Sequence, residues 1–202
     1  MIFRSNFTHI KYNNFPQHYL QEVFDMSVDY LPDGFLDVDA EDVDEDLVLM
    51  MQGSKVGKYT INIENILFAL NVYVSHPAKK MFDVHKDRNR NIGLNFPIQV
   101  DPEKGYLLVM KDENYNALGE CVEEPSKIKW DGKLISNSLP GHRKWPYAKE
   151  EDMQKVRFDC PIMLNTSRPH SYVNYSNKFR IIASLNSKKD PAKVHSHLKG
   201  FL

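Results

Sequence analysis

The chain has 202 residues, a formal net charge of −1 and 42% hydrophobic residues. That length suits one domain with a sizeable core. The near-neutral balance gives no electrostatic case for nucleic acid or for an anionic membrane surface, so neither is an expected partner.

Two cysteines, Cys121 and Cys160, are too few for a disulfide scaffold and are not spaced as a metal pair. They favour a reducing, cytoplasmic location. The opening Met1-Ile2-Phe3-Arg4-Ser5-Asn6 carries no apolar signal core. The apolar run at 66–70 is broken by Asn71 and is too short to span a bilayer.

In chain order, Pro16 opens an expected helix over 16–26, with Tyr19, Leu20, Val23 and Phe24 on one side. Leu31-Pro32-Asp33-Gly34 reads as a turn. Residues 37–46 are acidic and lack the glycine and terminal glutamate of a calcium loop, so a solvated face or helix start is expected. Residues 54–58, with Gly57, read as a connector. Residues 1–65 are therefore expected to decorate the domain with helical and short extended segments.

Strand texture begins near residue 59. Tyr59-Thr60-Ile61-Asn62-Ile63 alternates with period two. Residues 66–74 suit a strand buried on both faces, with a short helix left open. Residues 81–84 form a short apolar run. Asn91-Ile92-Gly93-Leu94-Asn95-Phe96 alternates and should stop at Pro97. Residues 106–110 make another apolar run. Brief strands are expected at 122–125, 128–130 and 134–135, then an irregular loop over 139–146. Strand texture returns at 158–164. A turn at 174–178 separates extended residues 170–173 from 179–185. The tail, 188–202, is polar and expected to be peripheral. Many short strands with turn signals predict a mainly β sandwich or open barrel.

Three stretches carry chemistry. Phe82-Asp83-Val84-His85-Lys86-Asp87 holds a His and an Asp two residues apart, which share a face if extended. His170 opens His170-Ser171-Tyr172-Val173-Asn174. Arg180 lies in Phe179-Arg180-Ile181-Ile182. Two His and one carboxylate can occupy one face of an octahedral metal, the ligand set of non-haem Fe(II) oxygenases. An Arg on a following strand suits a carboxylate, because its planar fork binds one bidentately.

These stretches, with Asn91-Ile92-Gly93-Leu94-Asn95-Phe96-Pro97-Ile98, Asn165-Thr166-Ser167-Arg168-Pro169-His170 and Ile182-Ala183-Ser184-Leu185, resemble the 2-oxoglutarate- and Fe(II)-dependent oxygenase superfamily. The nearest members are those related to aspartyl/asparaginyl and prolyl hydroxylases. The resemblance covers roughly residues 66–187. It implies a double-stranded β-helix, the cupin-like jelly roll. It further implies that His85, Asp87 and His170 hold Fe(II), and that Arg180 binds the distal carboxylate of 2-oxoglutarate. The implied reaction consumes O2 and hydroxylates a protein side chain, an amino acid or another small metabolite.

Ser184 shares the Arg180 face and could add a hydroxyl. The family's common Arg-x-Ser arrangement has Ile182 in that slot. Asn95 and Tyr73 are further candidate cosubstrate contacts, with Asn91 and Gly93 on the Asn95 face. A satisfied core amide is the default explanation of Asn95. His142, Arg143 and Trp145 could line a substrate entrance. His76, His195 and His197 read as surface, and Cys160 as core. Two rival readings use the same residues. One is a cupin-like metal protein with no need of Arg180. The other is a catalytically silent module docking through its acidic stretch. Zinc or nickel could fill the same ligands.

Overall fold

A computed structural model describes residues 7–43, 53–77, 81–87, 92–110, 118–124, 127–130, 133–136, 142–187 and 189–202. In chain order the strands and α-helices are β1 (His9–Lys11), α1 (Gln17–Val28), β2 (Gly53–Ile63), β3 (Ile66–Ser75), β4 (Val84–Lys86), β5 (Ile92–Gln99) and β6 (Gly105–Met110). There follow β7 (Val122–Glu124), β8 (Lys127–Trp130), β9 (Lys133–Ser136), β10 (His142–Trp145), β11 (Met153–Arg157), β12 (Ile162–Asn165), β13 (His170–Asn174), β14 (Arg180–Ser187) and α2 (Pro191–Leu198).

The fold is mainly β. One six-stranded sheet runs β1-β12-β5-β14-β3-β2, a second runs β11-β6-β13-β4-β10-β7, and β8 pairs β9 alone. Among the described residues the strand pairings are antiparallel throughout. From β3 to β6 and again from β11 to β14, the chain keeps crossing between the two sheets.

The period-two patterns explain why two faces of the first sheet find different partners. Ile66, Phe68, Leu70, Ile92, Leu94, Phe96, Ala183 and Leu185 pack outward against Tyr12, Phe15 and Val23, and against Val194 and Leu198 of α2. The intervening inward residues meet the second sheet. There Leu107, Val109, Val156, Phe158, Ile162, Leu164 and Ile182 form the inter-sheet core. The outer face of the second sheet buries Val84, Leu108, Trp145, Met153 and Val173.

Helix α1 starts after Pro16, as expected, but Phe24 is exposed because the helix turns Val23 and Ser27 inward instead. The 31–34 turn closes with Phe35 N–H donating to the Pro32 carbonyl. Of the acidic stretch, residues 40–42 form a 3-10 turn, Asp37 pairs with Lys178 at 3.2 Å, and residues 44–46 lie outside the described residues.

Several expectations are corrected. Residues 54–58 belong to β2, an edge strand that absorbs its glycine as a register shift between Val56 and Thr60. β3 is not buried on both faces: Leu67 points to solvent and burial alternates at its start. The run at 81–84 becomes strand only at Val84. β5 passes through Pro97, because the β14 ladder shifts register there: Ile182 faces Pro97 and Ile181 faces Gln99. The 139–146 loop contains β10, β11 precedes the expected strand at 158–164, and that strand starts only at Ile162.

The tail is also corrected. It forms α2, capped by Asp190, whose Oδ1 accepts from Ala192 N–H at 2.9 Å and Lys193 N–H at 3.3 Å. Val194 and Leu198, one turn apart, anchor it in the core. Asn91 lies outside the described residues. Among the described residues no helix is long and apolar enough to cross a membrane. Leu198 is 0% exposed, so Leu198→Ala should destabilise the fold by about 2–5 kcal/mol in urea unfolding, as a core truncation rather than a tail change.

Candidate metal centre

β4 is short, and one face of it is fixed by packing. Val84 is buried beside Trp145 on the outer side. His85, the next residue, therefore points inward. β13 lies alongside, with His170 the Cα partner of both His85 and Val109. Paired residues share a face, and Val109 belongs to the inter-sheet core, so both imidazoles enter the space between the sheets. Asp87 follows β4 directly, and its N–H donates to the Thr166 carbonyl at 3.0 Å. That bond ties it to the loop leading into His170.

The two rings are oriented alike. His85 Nδ1 lies 2.9 Å from the Asp83 carbonyl, and His170 Nδ1 lies 2.9 Å from the Arg168 carbonyl. A carbonyl only accepts, so each Nδ1 carries the proton and each Nε2 presents a lone pair. Those Nε2 atoms stand 3.7 and 3.9 Å from the Asp87 carboxylate oxygens. The separations exceed a hydrogen bond. They are wider than the roughly 3 Å edge of a shell with bonds of about 2.1 Å, and small side-chain rotations close the difference. The ligand atoms of His85, Asp87 and His170 all lie within 4.8 Å of one another, and this group can hold a metal ion. Second-layer carbonyls on Nδ1 are the usual way a protein fixes the tautomer of a ligating histidine.

Arg180 forms a second feature. It is 3% exposed, and among the described residues its Nε has no hydrogen-bond partner. The guanidinium lies 4.6 Å from the Tyr172 ring centroid and 5.5 Å from that of Phe158. Burial pushes its pKa down to about 10, with Tyr172 opposing the shift, so it stays charged at neutral pH. Tyr172 shares the His170 face, two residues or about 7 Å along β13. One strand thus carries a candidate metal ligand and the ring on which the arginine rests.

The other predicted residues lie nearby in varying degree. Ser184 and Asn95 are buried cross-strand partners on the inward face. A Cβ on Gly93 would lie 3.1 Å from Ser184 Oγ and 3.3 Å from Asn95 Oδ1, so glycine leaves room for this group. Ser184 Oγ donates to Asn186 Oδ1 at 3.3 Å, and Ile182 separates Ser184 from Arg180 on their shared face. Tyr73 is half-buried against the inter-sheet core. Trp145 does not line an entrance: it packs on the outer face, with Lys86 Nζ 5.7 Å from its ring. Arg143 is exposed, and the side chain of His142 lies outside the described residues.

His76 and His197 are exposed, while His195 is half-buried and contacts Tyr12 Oη at 3.1 Å. Cys160 is only half-buried rather than core, and burial raises its thiol pKa. Sequence reasoning gave no role to Tyr172, Phe158, Phe82 or Lys144. The period-two link from His170 could have found Tyr172. Nothing local marks Phe158.

No protein-family model matches this sequence, and no curated protein matches it. Fold and site together define a mainly β protein with a His85, Asp87 and His170 group between two sheets that could hold a metal ion. Titration with Co(II) should show one visible-spectrum site per chain. His85→Ala, Asp87→Ala and His170→Ala should each weaken it by about 100-fold or more, since loss of even an outer partner costs up to that much. His76→Ala should leave it unchanged.

Proposed function

We propose that this protein is a 2-oxoglutarate- and Fe(II)-dependent dioxygenase built on a double-stranded β-helix, and that it hydroxylates a small metabolite or a protein side chain. The observation that carries the reading is Arg180. A guanidinium at 3% exposure whose Nε has no hydrogen-bond partner among the described residues is costly to bury without an anion. Its position one aromatic ring away from His170 suits a ligand that bridges metal and arginine. A dicarboxylate with a second metal-binding end has that form.

The strand order supports the fold part of the proposal. β3-β14-β5-β12 in one sheet and β4-β13-β6-β11 in the other is the alternation expected of a jelly roll. The donor set fits Fe(II): two neutral imidazoles and a carboxylate on one side leave the remaining positions open. When bound, Fe(II) with 2-oxoglutarate and O2 supplies oxidative decarboxylation to succinate and carbon dioxide, coupled to hydroxylation of a substrate carbon.

The chain's own residues bind and orient. Asp83 and Arg168 carbonyls hold the imidazoles as neutral Nδ1–H tautomers, keeping each Nε2 a donor to metal. Asp87 supplies the negative charge that favours a divalent ion. Tyr172 and Phe158 hold the guanidinium plane, and Arg180 donates to the distal carboxylate. Ile182 and the inter-sheet core exclude water around that end. No side chain is asked to move a proton.

The cupin-like alternative uses the same metal ligands and leaves the buried Arg180 charge without a purpose. The interaction-module alternative leaves both features unexplained, and its Asp37 is already paired with Lys178.

Succinate release from 2-oxoglutarate with Fe(II) and ascorbate tests the reading. It should appear in the native protein and vanish in His85→Ala. Arg180→Met separates ligand binding from structure. The metal-free variant should be at least as stable as native on heating, because a buried charge is gone. Its 2-oxoglutarate affinity should fall by about 2–5 kcal/mol in calorimetric titration. Unaltered 2-oxoglutarate binding in that variant would favour the cupin reading.

A further inference from the structure

The registers continue past the metal ligands. Val109, His170, His85, Lys144 and Val122 are successive Cα partners across β6, β13, β4, β10 and β7. Cross-strand partners share a face, with Cβ atoms about 4.5–5.5 Å apart. Val109, itself paired with Gln154 of β11, lies in the inter-sheet core, and exposed Val122 ends the row on the other side. Trp145, next to Lys144, packs on the opposite face. Lys144 is therefore the immediate neighbour of His85 on the ligand-bearing face, on the side away from His170.

Lys144 Nζ lies 3.5 Å from Asp83 Oδ2, and the Asp83 side chain is 54% exposed. A pair so long and so open to water contributes little and is readily exchanged. The residue before Asp83 completes the rim. Phe82 N–H donates to the Tyr172 carbonyl at 3.1 Å, and the Phe82 carbonyl accepts from Ser171 Oγ at 2.5 Å. Its ring stacks on Tyr172 at 4.9 Å, sits 6.1 Å from the His85 ring, and is half exposed. An aromatic pinned by its backbone and left open to water is a ready apolar platform.

We propose that Lys144 and Phe82 form the substrate-recognition rim of the metal centre, and that the substrate carries a carboxylate beside a flat or apolar group. The carboxylate exchanges with Asp83 on the Lys144 ammonium, while Phe82 supports the apolar part. This brings the group's neighbouring carbons over His85. The substrate role rests on the oxygenase reading, whereas the binding itself needs no turnover.

The test uses the full chain loaded with Mn(II) and N-oxalylglycine, an inert 2-oxoglutarate analogue that keeps Arg180 occupied. Proton relaxation of phenylacetate by the bound Mn(II) is compared with that of phenylacetamide, its uncharged twin. Phenylacetate should relax more by about fivefold, the upper end for a solvent-exposed ion pair. Lys144→Met should reduce it to the amide level and Lys144→Arg should restore it. Asp83→Asn should raise it further, because one competing carboxylate is gone.

A purely structural Lys144–Asp83 pair would make Lys144→Met and Asp83→Asn act in the same direction, and that result overturns the proposal. Equal relaxation of acid and amide in the native protein overturns it as well. If N-oxalylglycine leaves the water relaxation of bound Mn(II) unchanged, the oxygenase reading fails, while the acid–amide comparison still decides the rim.

Discussion

The site depends on one backbone pairing, His170 opposite His85. Antiparallel partners share a face, so this register puts two imidazoles side by side from distant parts of the chain. A slip of one residue would turn one ring to the outer face, where Val84 and Val173 pack. The outer cluster therefore guards the register. Val84, Trp145 and Val173 are apolar and buried, and exposing any of them to rescue a slipped pairing would be unfavourable. The metal group is a consequence of hydrophobic packing on the far side of the same sheet.

The same logic places the arginine. Ile181, Ala183 and Leu185 are buried on the helix-covered face of the first sheet, which commits Arg180, Ile182 and Ser184 to the space between the sheets. A charge ends up where charge is least welcome. Two aromatic rings partly offset that cost through cation–π contact, and their planar surfaces fix the guanidinium's orientation. Among the described residues the Nε has no hydrogen-bond partner, so this donor is held in place and open to an acceptor. Pre-organisation of this kind is characteristic of binding sites rather than of structural cores.

Much of this was legible in the sequence because it is local. His85 and Asp87, two apart beside an apolar run, announce a shared face, and alternating apolar residues announce which strands are half buried. The turn at 174–178 was readable for the same reason, and Asn174 does close it by donating to the Lys178 carbonyl at 2.9 Å. What escaped was set by tertiary context. Pro97 sits inside β5 only because the partner strand shifts register beside it. β10 reads as a loop because its residues are mostly polar, yet β4 and β7 on either side satisfy its backbone. Helix α2 has so few apolar residues that only its docking reveals them. Lys144 and Phe82 acquire meaning solely from strands that pair far along the chain.

The most direct measurement is a crystal structure grown without oxygen in the presence of Mn(II) and 2-oxoglutarate. The account predicts one ion on His85 Nε2, His170 Nε2 and the Asp87 carboxylate, with the distal acid of 2-oxoglutarate on the Arg180 guanidinium beside Tyr172. An ion bound elsewhere, or an acid that ignores Arg180, would contradict it.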